Sequence, residues 1–227
     1  MESVMVFVVG LGIRFLLFIL LFAVFAAPIA VVIFAVQGVG AVRARVAGTV
    51  DVGGVAWKPG LAYTAAHSWV KTVWGRTVKV GLDDVARRIL AGASSIALPP
   101  AGSRLRRGDM LAAVRCGDRL VAIPCPVDGV VMARNRALMD EPALFESEPY
   151  GDGWMLRMET DGPVAAGAHR GLDSKVWLCD ENARLSHFLE ARLGMAAADG
   201  GALTGTPATL LPPDAWRDAA EQFLHAA

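Results

Sequence analysis

The sequence predicts a mainly β (α+β) domain carried behind an N-terminal transmembrane helix and followed by C-terminal helices. Three features lead there. Residues 15–36 contain no charged side chain. Between residues 48 and 132, short β-prone runs alternate with turn-forming Gly, Pro, Asn and Asp. Two later segments place their apolar residues at helical spacing.

The chain is 54% apolar with a positive mean hydropathy of +0.44, and the excess is concentrated at its start. A charge-free stretch of 22 residues, 15–36, is long enough to span a bilayer core, whereas a secretory h-region needs only about 7 to 15 residues. Residues 1–42 are therefore read as a signal anchor, with Arg14 snorkelling to a headgroup and Pro28 kinking the helix. Gly10, Gly12, Gly38 and Gly40 read as helix-packing positions rather than a nucleotide loop. Arg43, Arg45 and Lys58 follow the span, and positive-inside counting places the soluble domain of this single-pass membrane protein in the cytoplasm. Cys116, Cys125 and Cys179 are odd in number and lack CxxC spacing, which agrees with a reducing compartment.

Strands are expected over residues 48–57, 67–73 and 76–80, the last two joined by a Trp74-Gly75 turn. Residues 82–90 read as a short helix, with Asp83 and Asp84 in its first turn, Arg87 and Arg88 at its end and Gly92 as its stop. Extended structure resumes over 96–98 until Pro99-Pro100. Gly117-Asp118 lies between two β-prone runs, the signature of a two-residue hairpin turn. Counting outward sets Cys116 opposite Arg119, Arg115 opposite Leu120 and Val114 opposite Val121. Pro124 and Pro126 confine the second strand to an edge or an end, and Val127-Asp128-Gly129 turns the chain into residues 130–132.

Beyond a Gly/Ala-rich connector at 162–171, Val176-Trp177-Leu178 reads as a strand or docking segment. Asp180 is placed to cap a helix over 181–193 whose Leu185, Phe188, Leu189 and Leu193 share a face. Residues 195–211 form a small-residue linker, and Pro212-Pro213-Asp214 opens a last helix bearing Trp216, Ala219, Phe223 and Leu224. The domains are then 1–42, 43–161 and 162–227.

Chemistry-bearing patterns are few. Lys and Arg total 22, as do Asp and Glu, so net charge implies neither nucleic acid nor an anionic membrane as partner. Arg104, Arg106 and Arg107 read as a solvated turn, and Trp69 and Trp154 as core aromatics. His67, His169, His187 and His225 show no metal-ligand spacing, and no nucleophile, base and acid set can be assembled. No catalytic residue, metal or cofactor is assigned.

One stretch carries more. His67-Ser68-Trp69-Val70, then Val78-Lys79-Val80-Gly81-Leu82, the hairpin, Asn135, Ala137-Leu138, Pro142 and finally Ser147-Glu148-Pro149-Tyr150-Gly151-Asp152-Gly153-Trp154 resemble the H protein of the glycine cleavage system. The likeness runs in order across residues 63–160. It implies a barrel-sandwich hybrid of two small antiparallel sheets, the lipoyl-domain fold. In that family a lysine at the hairpin tip bears a lipoyl arm that visits a decarboxylase, an aminomethyltransferase and a dihydrolipoyl dehydrogenase. Asp118 stands at the aligned position.

A carboxylate cannot form the lipoyl amide, and neither can the always-protonated guanidinium of Arg119. Lys58, Lys71, Lys79 and Lys175 are the only lysines, and none lies in the hairpin. The leading expectation is a non-enzymatic, membrane-anchored docking subunit of a membrane complex that contacts its protein partners through Arg115, Cys116, Gly117, Asp118 and Arg119. A lipoyl carrier modified at another residue is the alternative. A second alternative is a thiol redox protein using Cys116, its pKa lowered by Arg115 and Arg119.

Overall fold

A computed structural model of the chain describes residues 14, 15, 17, 18, 48–162, 167–194 and 208–224. The chain divides into two compact units, Met1–Val46 and Ala47–Ala227. In the first, Arg14, Phe15, Leu17 and Phe18 are helical and exposed; the rest of the expected membrane span lies outside the described residues. Among the described residues, no helix is long and apolar enough to cross a membrane.

The second unit opens with a hairpin of β1 (Val50–Val52) and β2 (Val55–Trp57). The single strand expected over 48–57 is broken because Gly53-Gly54 turns the chain, both glycines at positive φ. β3 (Ala62–Tyr63), β4 (Ser68–Trp74) and β5 (Thr77–Leu82) follow, and then α1 (Asp84–Ile89). Asp83 is the N-cap of α1, its carboxylate accepting from the backbone N–H groups of Val85 and Ala86 at 3.0 and 3.1 Å. After β6 (Ser95–Ala97) and β7 (Arg104–Leu105), β8 (Met110–Cys116) and β9 (Arg119–Pro124) form the expected hairpin. β10 (Gly129–Arg134), the short helices α2 (Arg136–Asp140) and α3 (Ala143–Ser147), β11 (Leu156–Thr160) and β12 (His169–Arg170) complete the sheets.

The architecture is mainly β, and every strand pairing is antiparallel. In place of two small sheets there is a seven-stranded sheet, ordered β12-β3-β4-β5-β11-β10-β7, a three-stranded one, β6-β8-β9, and the separate β1-β2 pair. β9 lies at an edge, where Pro124 is tolerated. Period-2 alternation sends Val70, Val80 and Leu156, neighbours across β4, β5 and β11, into one core with Leu111, Val114, Val121 and Ile123 of the smaller sheet. On the opposite face the indole of Trp69 lies over Gly81, where an added Cβ would sit 2.5 Å from the ring. Its Nε1 donates to the Pro149 carbonyl at 3.1 Å.

α4 spans Gly171–Leu193, so 176–178 is helical and Asp180 lies inside the helix rather than at its cap. Its buried seam is Ser174, Leu178, Asn182, Leu185, Ser186 and Leu189, spaced by three and four residues so that Leu178 must face inward. α5 (Pro213–Leu224) buries Trp216, Ala219, Phe223 and Leu224, the face the spacing predicts.

Candidate functional site: the β8–β9 hairpin tip

The turn sits where the sequence places it. Cys116 pairs with Arg119, Arg115 with Leu120 and Val114 with Val121, and Gly117 takes up φ 61°, a backbone setting suited to glycine. Gly117, Asp118 and Arg115 are exposed. The Arg115 carbonyl accepts from the Ser94 N–H at 2.7 Å.

Arg119 and Cys116 are not free at the tip. The Arg119 guanidinium donates to the Leu211 carbonyl at 2.9 Å and lies 5.2 Å over the ring of Trp216. Trp216 is itself buried and donates Nε1–H to the Ile89 carbonyl at 2.9 Å. α5 is thus fastened along one flank of the hairpin, with a groove of about 660 Å³ between them, lined by Cys116, Gly117, Asp118, Arg119, Trp216 and Arg217 among others. Nothing local in the sequence announces this contact, which joins residues 92 and 127 positions apart.

The Cys116 thiol donates to the Leu90 carbonyl at 3.4 Å and is 7% exposed. Burial, with Glu146 adding to it, pushes its pKa up to about 11, and Arg119 opposes this only weakly. The lowering expected from the flanking arginines is therefore overturned by desolvation. Such a thiol carries almost no thiolate at neutral pH.

A second cluster holds α4. His67 is fully buried at φ 55°. Its Nδ1 meets the Asp83 carboxylate at 2.9 Å and its Nε2 lies 3.5 Å from Glu181 on α4. Burial alone disfavours the imidazolium, but Asp83 and then Glu181 outweigh it and raise the pKa to about 9. The Trp177 ring stacks 5.2 Å from His67 and 4.7 Å from His169. This is a charged staple between the turn that leads into β4, the cap of α1 and α4.

The tip offers no amine to acylate, since residues 80–174 contain no lysine. A lipoyl amide at the hairpin does not fit these residues. Lys71 and Lys79 lie within strands opposite one another, and Lys79 rests 4.9 Å over the Trp154 ring.

Residues 61–168 match the family model for the glycine cleavage H-protein. The glycine cleavage system H protein of Mycobacterium avium is 36% identical over 107 residues, covering 47% of this chain and 81% of that protein. The probable glycine cleavage system H protein of Haloarcula marismortui is 38% identical over 101 residues, 44% of this chain and 79% of that one. A solved glycine cleavage system H protein from Mycobacterium marinum aligns over 48% of this chain and 90% of that chain, with a TM-score of 0.45 and 26% identity. With four-fifths of the Mycobacterium avium protein covered at that identity, this chain belongs to the glycine cleavage H-protein family.

Proposed function

We propose that the protein is a non-enzymatic, H-protein-like docking subunit, held at a membrane by residues 15–36 with its domain in the cytoplasm, whose hairpin tip contacts partner subunits instead of carrying a lipoyl arm. One observation carries the reading: the tip presents Asp118, a carboxylate, at the outermost position of the hairpin, with α5 fastened along its flank. A swinging arm needs an acylable amine there and room to move. The exposed tip has the room but lacks the amine. Its exposed Arg115, Gly117 and Asp118 form a small polar surface suited to recognition by charge complementarity. The relatives' names point to protein components of the glycine cleavage system as the partner class.

The experiment is intact-mass measurement of the chain purified from its native membrane, paired with in vitro lipoylation of the wild type and of Asp118→Lys. The expected result is a bare wild-type mass, no modification of the wild type by a lipoate ligase, and modification of Asp118→Lys at residue 118. A lipoyl-sized adduct on the wild type would overturn the reading.

A further inference from the structure

The balanced total charge conceals a segregated one. On the outward face of the seven-stranded sheet Lys71 of β4 is opposite Lys79 of β5, and Lys79 is opposite Arg157 of β11. Adjacent strands are about 4.8 Å apart, and like charges directly opposite one another are destabilising. Among the described residues, none of the three has a carboxylate within 4.0 Å, although Arg76, Arg87, Arg104, Arg184 and Arg192 all do. Lys58 joins them: its Nζ donates to the Tyr150 carbonyl at 3.2 Å, and burial, then the Lys71 charge, lower its pKa. Three of the chain's four lysines therefore gather on this side of the sheet. Glu159, opposite Thr77, is the acidic member of the face.

At the end of this face lies the β4–β5 turn. A bulge between Thr72 and Trp74 leaves Val73 unpaired and sets Trp74 opposite Thr77, which places Trp74 on the same side as Lys79. Trp74 is 84% exposed and Val73 52%. Two residues lie between Lys71 and Trp74, and because the bulge sets them opposite Lys79 and Thr77, two steps apart on β5, they stand about 7 Å apart along the sheet. The order from the tip is Trp74 and Val73, with the Glu159 carboxylate in the same cross-strand row as Trp74, then Lys71, Lys79 and Arg157, three cations without a carboxylate partner among the described residues, Lys79 resting over the Trp154 ring. A lipid interface has the same layering, with an acyl boundary that accepts Trp and a headgroup plane that attracts Lys and Arg. An acidic protein would explain the cations but leave the apolar tip in water.

We propose that the outward face of β4, β5 and β11, with Val73 and Trp74 at its end, docks on an anionic lipid surface. The proposal rests on residues 58–159 and stands apart from the anchor reading of residues 15–36.

The test uses the full chain with vesicles of brominated phosphatidylcholine, with or without phosphatidylglycerol. The Trp74 signal is the wild-type emission minus that of Trp74→Phe. The expected result is quenching of Trp74 with phosphatidylglycerol, weakened by salt and absent on phosphatidylcholine alone. Lys71→Gln, Lys79→Gln and Arg157→Gln combined should weaken face docking roughly a hundredfold, at about fivefold per cation. This variant relieves like-charge contacts, so its melting temperature should not fall; the salt titration of the wild type tests the same point without any variant. Three results would each overturn the proposal: no Trp74 quenching with phosphatidylglycerol, equal quenching on both vesicles, or face-dependent binding to poly-L-glutamate with no quenching. Carbonate extraction reports on the anchor separately, so failure of one reading is distinguishable from failure of the other.

Discussion

Removing either half of the Arg119–Trp216 contact tests whether α5 is built into the hairpin or merely lies beside it. Trp216 is 4% exposed, and truncating a buried aromatic to Ala costs about 3 to 5 kcal/mol. The Ile89 carbonyl would also lose its donor, adding about 1 kcal/mol. Arg119→Ala loses a charge-assisted hydrogen bond to Leu211 and a cation–π contact; at this half-buried position these come to about 2 kcal/mol together. The double variant should be less destabilised than the two single variants predict, by about 1 kcal/mol, because the contact can be lost only once. Urea unfolding followed by circular dichroism measures all four corners of the cycle, and each kcal/mol should move the thermal midpoint by about 2 to 4 °C. Additivity within about 0.3 kcal/mol would show that the ring and the guanidinium do not interact, leaving the Arg119–Leu211 and Trp216–Ile89 hydrogen bonds as the ties of this segment.

Other expectations follow from the same packing. The raised His67 pKa means that its contribution is complete below the ordinary value of 6.5 and is lost as pH rises through about 9. Stability should therefore drop by an amount on the order of 3 kcal/mol across that window, and pH-dependent urea melts of His67→Gln should be flat there. Glu181, lowered by His67 despite opposing desolvation, loses its contribution in the other direction, as pH falls into the carboxylate range. Gly81→Ala should destabilise by about 1 to 3 kcal/mol in thermal melts, since its Cβ meets the Trp69 ring at 2.5 Å. Cys116 and Cys125, both buried with pKa raised to about 11, should resist alkylation at neutral pH until urea unfolds the chain; rapid native labelling of Cys116 would revive a thiol function.

Much of this was legible because the determining interactions are local. The Gly117-Asp118 turn fixes the register of β8 and β9 by simple counting, and the apolar face of α5 follows from 3.6-residue spacing. The start of α4 is hidden for a physical reason. Its seam buries Ser174, Asn182 and Ser186, polar residues that apolar periodicity does not count. Ser174 and Asn182 are tolerated because Trp57 Nε1 donates to Ser174 Oγ at 3.0 Å and Asn182 Nδ2 donates to the Gly53 carbonyl at 2.7 Å, whereas the buried Ser186 hydroxyl has no hydrogen-bond partner among the described residues. The same blindness applies to His67, whose partners Asp83 and Glu181 come from distant positions, and to Arg119, which sequence reading leaves free at the tip.

β12 is only two residues long, yet His169 and Arg170 pair with Tyr63 and Ala62 and so cover the free side of β3. They lie just past residue 168, where the family match ends. A chain cut there would present β3 as a raw sheet edge open to pairing with another copy. It would also leave His67 without Glu181, Trp57 without Ser174 and the Ile89 carbonyl without its indole donor. The region shared with the relatives is therefore not a detachable module in this protein: its last strand neighbour, its buried counter-charge and the brace on its hairpin are all supplied by the segment that follows it.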